Sequence, residues 1–192
     1  MKDVATHDRG VTPVFVKSWL EERHQRSDIE KIHKKLSPEA YNMITSPVGS
    51  TWYPLELIRE IFNAIFDVLG EKDPRVLADY GYYAAERSIT VFLRFLMKLI
   101  DTDKMVKRIG AFWKFYHNGG KMTAGELIQK SGHKERIISC YGYDAGEPFC
   151  LVFEGYARAL TERAGGKNVL ITKKNCIYKG DDCCSWLVSW TE

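Results

Sequence analysis

Five thiols set the first chemical question, since Cys140, Cys150, Cys176, Cys183 and Cys184 all lie in the last third of a 192-residue chain. Thiolates ligate soft metals, form disulfides and act as nucleophiles, so what matters is which of them a fold brings together. Lys179-Gly180-Asp181-Asp182 is a turn signal, because glycine takes a positive φ at little cost and aspartates bond back to their own backbone. β-branched and aromatic residues flank it on both sides, which predicts a hairpin that carries Cys176 close to Cys183 or Cys184. Such a pair is near enough to share a metal or a disulfide. In a regular strand Cys183 and Cys184 point to opposite faces, so only one of them joins Cys176. The bland alternative is a set of buried thiols without chemistry, cysteine being among the most buried residue types.

The second concentration of chemistry is aromatic and lies in the first two thirds of the chain: Trp52, Tyr53, Tyr80, Tyr82, Tyr83, Phe92, Phe95, Phe112, Trp113, Phe115 and Tyr116. Aromatic residues at helical spacing usually form core, but an apolar cavity with a few tyrosine or indole donors would also suit an aromatic or lipid-like ligand. His117 follows the last of these aromatics; its imidazole could in principle ligate a haem, but the preferred reading is an exposed histidine at a helix end, where the dipole favours it. His7, His24 and His33 sit in polar surroundings and are expected to face solvent. The sequence has no Gly-rich phosphate loop, no nucleophile elbow and no zinc-protease helix motif, so catalysis is not expected.

These groups need elements to position them. Residues 1–12 are polar and aperiodic and read as a loose tail, and amphipathic short helices follow to about residue 45. Beyond Ser46-Pro47-Val48-Gly49-Ser50, the series Leu55, Ile58, Ile61, Phe62, Ile65, Phe66 and Leu69 marks a helix that ends at Gly70. Asp73-Pro74 opens a long helix to about residue 100, apolar on many sides and therefore central, and another helix runs from about 102 to Tyr116. After Gly119-Gly120 the chain reads strand, strand, helix, strand, strand, with the helix carrying Cys150 and the second hairpin the other cysteines. This predicts one domain: tail 1–12, helical part 13–118 and a ββαββ part over 121–192. The fold class is α+β, a helical layer on a four-stranded antiparallel sheet of two hairpins bridged by a helix. A hydrophobic content of 45% is that of a globular protein, and a net charge of +3 does not argue for nucleic acid. Arg94 and Lys98 interrupt the longest apolar run and the N-terminus lacks a secretory h-region, so no membrane span and a cytoplasmic location are expected.

Phe149-Cys-Leu-Val-Phe-Glu-Gly-Tyr-Ala157 and Asn175-Cys-Ile-Tyr-Lys-Gly-Asp-Asp-Cys-Cys184 resemble the C-terminal part of the 4-vinyl reductase type small-molecule-binding domain, the sensory module of bacterial activators that respond to phenols and other aromatics. That domain is more distantly similar to haem-nitric oxide-binding domains and to subunits of the transport protein particle (TRAPP) of vesicle tethering. The resemblance, whose motifs cover residues 149–190, implies a cavity between helices and sheet; from the aromatic cluster of the helical part, Tyr83, Phe92, Phe112, Trp113 and Tyr116 are the candidate ligand-binding residues. The resemblance also implies a structural zinc on Cys150, Cys176 and Cys184, although the family's glutamate ligand falls on Lys173, whose ammonium repels a cation. The haem branch's tyrosine-serine-arginine signature is not apparent, which sets haem aside. The expected function is non-catalytic sensing of a small hydrophobic or aromatic molecule, by a homodimer acting through a signalling partner. A ligand-free scaffold subunit of the TRAPP type is the alternative, and an accessory role in tetrapyrrole reduction rests on the family name alone.

Overall fold

A computed structural model describes residues 3–88, 109–130 and 132–191. The chain begins with a strand rather than a loose tail. β1 (His7–Arg9) pairs antiparallel with β2 (Trp52–Pro54), Asp8 opposite Tyr53. The N–H of Leu55 bonds to the carbonyl of Thr6 and that of Ala5 to the carbonyl of Gly142, both at 2.8 Å. Aperiodic polar sequence does not reveal this segment, because long-range backbone bonds hold it rather than an apolar face.

Between the two strands lie α1 (Val11–Arg23), α2 (Arg26–His33) and α3 (Pro38–Thr45). Ser37 caps α3, its hydroxyl accepting from the N–H of Ala40, with Pro38 pre-set for the first turn. α4 (Leu55–Leu69) is the amphipathic helix its periodicity predicts, burying Leu55, Ile58, Ile61, Phe62, Ile65 and Leu69. α5 (Val76–Ser88) and α6 (Ile109–Tyr116) fall within the two further helices expected from the sequence. The stretch between them, with Phe92, lies outside the described residues. Trp19 ties α1 to α5, its indole N–H donating to Asp79 at 2.8 Å while its ring packs on Tyr80.

The second half is a sheet covered by α7 (Phe149–Arg163). Its strands are β3 (Lys121–Ala124), β4 (Ile128–Lys130), β5 (His133–Tyr141), β6 (Lys167–Asn175) and β7 (Cys184–Thr191), in the order β3-β5-β7-β6 with β4 also on β5. The sheet therefore has five strands where four are expected. The first arm of the first hairpin is broken: Ala124 faces Ile138, the chain leaves the ladder, and Ile128 rejoins opposite Glu135. Period-two alternation turns Trp186, Val188 and Trp190 of β7 and Ile138 and Cys140 of β5 inward. Trp186 packs on Phe153 of α7 with ring centroids 4.1 Å apart.

The second hairpin turns where the sequence places it. Gly180 has φ of 91°, a short 3-10 turn spans Ile177–Lys179, and the Asp181 carboxylate accepts from the N–H of Cys176 at 2.6 Å. Cys176 thus stands at the head of the turn rather than within the strand. α5 and α7 cross at a pair of glycines, where a Cβ on Gly81 would lie 1.9 Å from the carbonyl oxygen of Val152 and one on Gly155 1.8 Å from that of Ala78. This close crossing and the sheet together bound the interior space. Among the described residues no helix is long and apolar enough to cross a membrane.

Candidate functional site

Between the helical layer and the sheet lies an apolar cavity of about 190 Å³, partly open to solvent. Phe15 of α1, Phe62 of α4, Tyr80 of α5, Trp113 and Tyr116 of α6 and Val152 of α7 are among its walls. Three of its polar residues, Asp8, His117 and Tyr143, are grouped. Asp8 is 1% exposed, and its two carboxylate oxygens are shared out: the Tyr143 hydroxyl donates to Oδ2 at 2.8 Å, and Nδ1 of His117 lies 2.6 Å from Oδ1. The imidazole is fixed on both sides, stacked on Trp113 with centroids 3.7 Å apart and meeting Tyr143 edge-on at 4.8 Å. Trp113 is held in turn by its indole N–H, which donates to the carbonyl of Gly119 at 3.0 Å.

A carboxylate only accepts, so the proton of a neutral His117 is assigned to Nδ1, which leaves the lone pair on Nε2. This is the arrangement by which proteins orient a metal-ligating histidine and raise its basicity. Burial, followed by the charge of Asp8, pushes the Tyr143 phenol far above its ordinary range, so it stays a donor. On another wall Tyr156 shares a 3.0 Å hydrogen bond with Ser88, and burial pushes its phenol up to about 12.

A second cluster lies at the hairpin. The sulfurs of Cys150, on the first turn of α7, and of Cys176 and Cys184 all lie within 4.8 Å of one another, with Cys150 and Cys184 3.9 Å apart. Among the described residues no carboxylate or imidazole completes the group. Lys173 stands beside it instead, its ammonium 3.0 Å from the Cys150 sulfur and 3.7 Å from the centroid of the Trp186 ring. The Cys184 thiol is held well below its ordinary range, first by the contact from Cys150, then by the N–H of Ile177 and by Lys173. The Cys150 thiol is pushed up by the same contact and by burial. A cleft of about 210 Å³ leads to the cluster, lined by Cys150, Cys176, Lys173, Lys174, Lys179 and Asp181.

No known family profile and no curated protein matches this chain. Solved structures do. An H-NOX protein from S. oneidensis in the Fe(II)NO ligation state superposes with a TM-score of 0.71 over 96% of this chain and 99% of its own, at 14% identity. The Fe(II) unliganded H-NOX protein from K. algicida gives 0.66 over 96% and 97%, at 12% identity. A structure on haem redox potential and porphyrin distortion gives 0.62 over 96% and 99%, at 8% identity. The fold is that of the H-NOX proteins.

The H-NOX fold corrects the cofactor expectation. Haem was set aside because a sequence signature is missing, yet the solved chains that share this architecture from end to end are described by their iron(II) ligation states and by their haem. Of the ligand residues expected from the sequence, Phe112, Trp113 and Tyr116 line the cavity. Tyr83 does not: its hydroxyl donates to Glu22 at 2.9 Å and the Arg87 guanidinium lies over its ring at 4.9 Å, so it faces α1. Phe92 lies outside the described residues. His117 is corrected from a solvent-facing helix end to a half-buried residue of the cavity wall, its side chain only 12% exposed. His7, His24 and His33 are likewise half-buried rather than exposed, and His24 packs edge-on against Trp19. Asp8 and Tyr143 had no signal of their own, because their partners are more than a hundred positions away.

Proposed function

We propose that this chain is a sensor domain whose cavity holds a planar, largely apolar ligand, and that His117 is the residue that binds its metal centre. The carrying observation is the Asp8–His117 pair in the wall of a largely apolar space, an imidazole fixed by a carboxylate with Nε2 left as its ligating nitrogen. The donor chemistry fits a haem. Phe112, Trp113 and Tyr116 offer ring faces, and the open side of the cavity is where ionised carboxylates of such a group would meet water. Bound there, a haem iron would supply a coordination position for a small gas, which side chains alone do not offer. The protein's own part is to orient His117 through Asp8, to keep Tyr143 a donor, and to exclude water with its aromatic walls.

Haemin titrated into the purified chain is expected to saturate at one equivalent with a shifted Soret band, and His117→Ala to weaken binding by at least about tenfold. Failure to saturate overturns the haem reading. The second reading, an aromatic ligand without iron, is supported by the Tyr156–Ser88 pair as a polar handle in the cavity wall. Saturable quenching of tryptophan emission by simple phenols, in a chain that does not take haemin, would favour it. Homodimerisation and a signalling partner remain with this proposal, and a monomer mass in light scattering at high concentration would remove the dimer.

A further inference from the structure

The contact between Asp8 and His117 has an electronic consequence besides aiming the ring. We propose that, with His117 as the iron ligand on which this rests, Asp8 favours the iron(III) state of a haem in the cavity. The ligands such a site answers to are then small weak acids that bind as anions, such as hydrogen sulfide or hydrogen cyanide, rather than carbon monoxide. Three observations carry it. The Asp8 carboxylate lies 2.6 Å from Nδ1 and is 1% exposed, so its pull on the ring proton is not shared with water. Density pushed toward Nε2 makes the imidazole a stronger donor, and a stronger donor stabilises iron(III), the more highly charged state, over iron(II). Next, among the described residues that line the cavity Asp8 is the one carboxylate, and none is a lysine or arginine. A negative charge without a cation beside it, in a largely apolar space, acts on the iron in the same direction. Finally, Phe15, Phe62 and Val152 are among walls that an ion crosses at a cost and a neutral acid does not.

No oxidant or reductant is needed for binding. Haemin enters as iron(III), the acid loses its proton to solvent at the open side of the cavity, and its conjugate base donates a lone pair to the metal. An anion gains more from iron(III) than from iron(II). Asp8 touches neither iron nor ligand and acts through His117, as a positioning residue. Tyr143 moderates it, because the phenol donates to Oδ2 at 2.8 Å and so takes up part of the carboxylate's charge. The face of Trp113, stacked on the imidazole at 3.7 Å, covers one side of the ring.

The full chain loaded with one equivalent of haemin is followed through a spectroelectrochemical titration. Asp8→Asn, which keeps the shape of the side chain and removes its charge, is expected to raise the ratio of iron(II) to iron(III) at a fixed potential about tenfold, an upward shift of about 59 mV for one electron. Tyr143→Phe frees the carboxylate of its second donor and should move the ratio the other way. A purely structural Asp8 gives no such pair of opposite shifts. Wild type in air should form a cyanide complex directly and take carbon monoxide only after dithionite. If Asp8→Asn does not fold, Tyr143→Phe and these two ligands decide. Equal potentials for wild type and Asp8→Asn, a Tyr143→Phe potential that is unchanged or raised, or a wild type that stays iron(II) in air and takes carbon monoxide there, would each overturn the inference while leaving haem binding intact. A chain that takes up no haemin overturns the haem reading, and this inference with it.

Discussion

Gly81→Ala and Gly155→Ala are each expected to lower the melting temperature by about 6–12 °C, a loss of about 3 kcal/mol in a domain of this size. The cause is a collision with backbone. The added methyl on Gly81 meets the Val152 carbonyl oxygen at 1.9 Å, and that on Gly155 meets the Ala78 oxygen at 1.8 Å, so α5 and α7 must move apart along their whole contact. Ala is otherwise the better helix former by about 1 kcal/mol, a gain that the overlap outweighs. Gly49→Ala is the control: its nearest neighbour would be a Val14 methyl at 4.0 Å, and a change within about 0.5 kcal/mol is expected. Thermal melts followed by far-ultraviolet circular dichroism make the comparison. Equal stability of the three variants would mean that the two helices do not cross at these glycines.

Asp8→Ala should cost about 3–5 kcal/mol, because it removes a buried acceptor and leaves both the Tyr143 hydroxyl and the His117 ring N–H without a partner. Tyr143→Phe removes one donor and keeps the carboxylate bonded to His117, and should cost about 1–3 kcal/mol. The order of the two, measured by urea unfolding, reports whether the histidine contact contributes. If Asp8→Ala is no more costly than Tyr143→Phe, the pair on which the ligand reading rests is energetically empty. Asp8→Ala should also loosen the N-terminal strand, since Asp8 sits in β1 opposite Tyr53 and bridges to His117.

Much of the thiol cluster is legible in the sequence, because a turn residue with the right conformational freedom, Gly180, stands midway between Cys176 and Cys184 and fixes their approach. The aromatic wall is half legible. Periodicity says that Trp113 and Tyr83 are buried, and it cannot say against what: Trp113 turns to the cavity, whereas Tyr83 turns to Glu22 on α1. The break between β3 and β4 is hidden because both pieces are β-compatible and the interruption at 125–127 carries a single glycine. Asp8 is not legible at all. Nothing separates it from other aspartates of a polar N-terminus, and its role appears only when a strand pairing brings it to residues 109 and 135 positions later. Local pattern predicts elements, while the groups that meet in a cavity are chosen by tertiary contacts.

The most direct measurement is resonance Raman spectroscopy of the haem-loaded chain in the iron(II) state, comparing wild type with His117→Gly in the absence and presence of imidazole. If His117, oriented by Asp8, is the ligating residue of the cavity, the wild type shows an iron–histidine stretch, the glycine variant loses it, and imidazole diffusing into the vacated space restores it. An identical spectrum from both proteins without imidazole would contradict the assignment of His117.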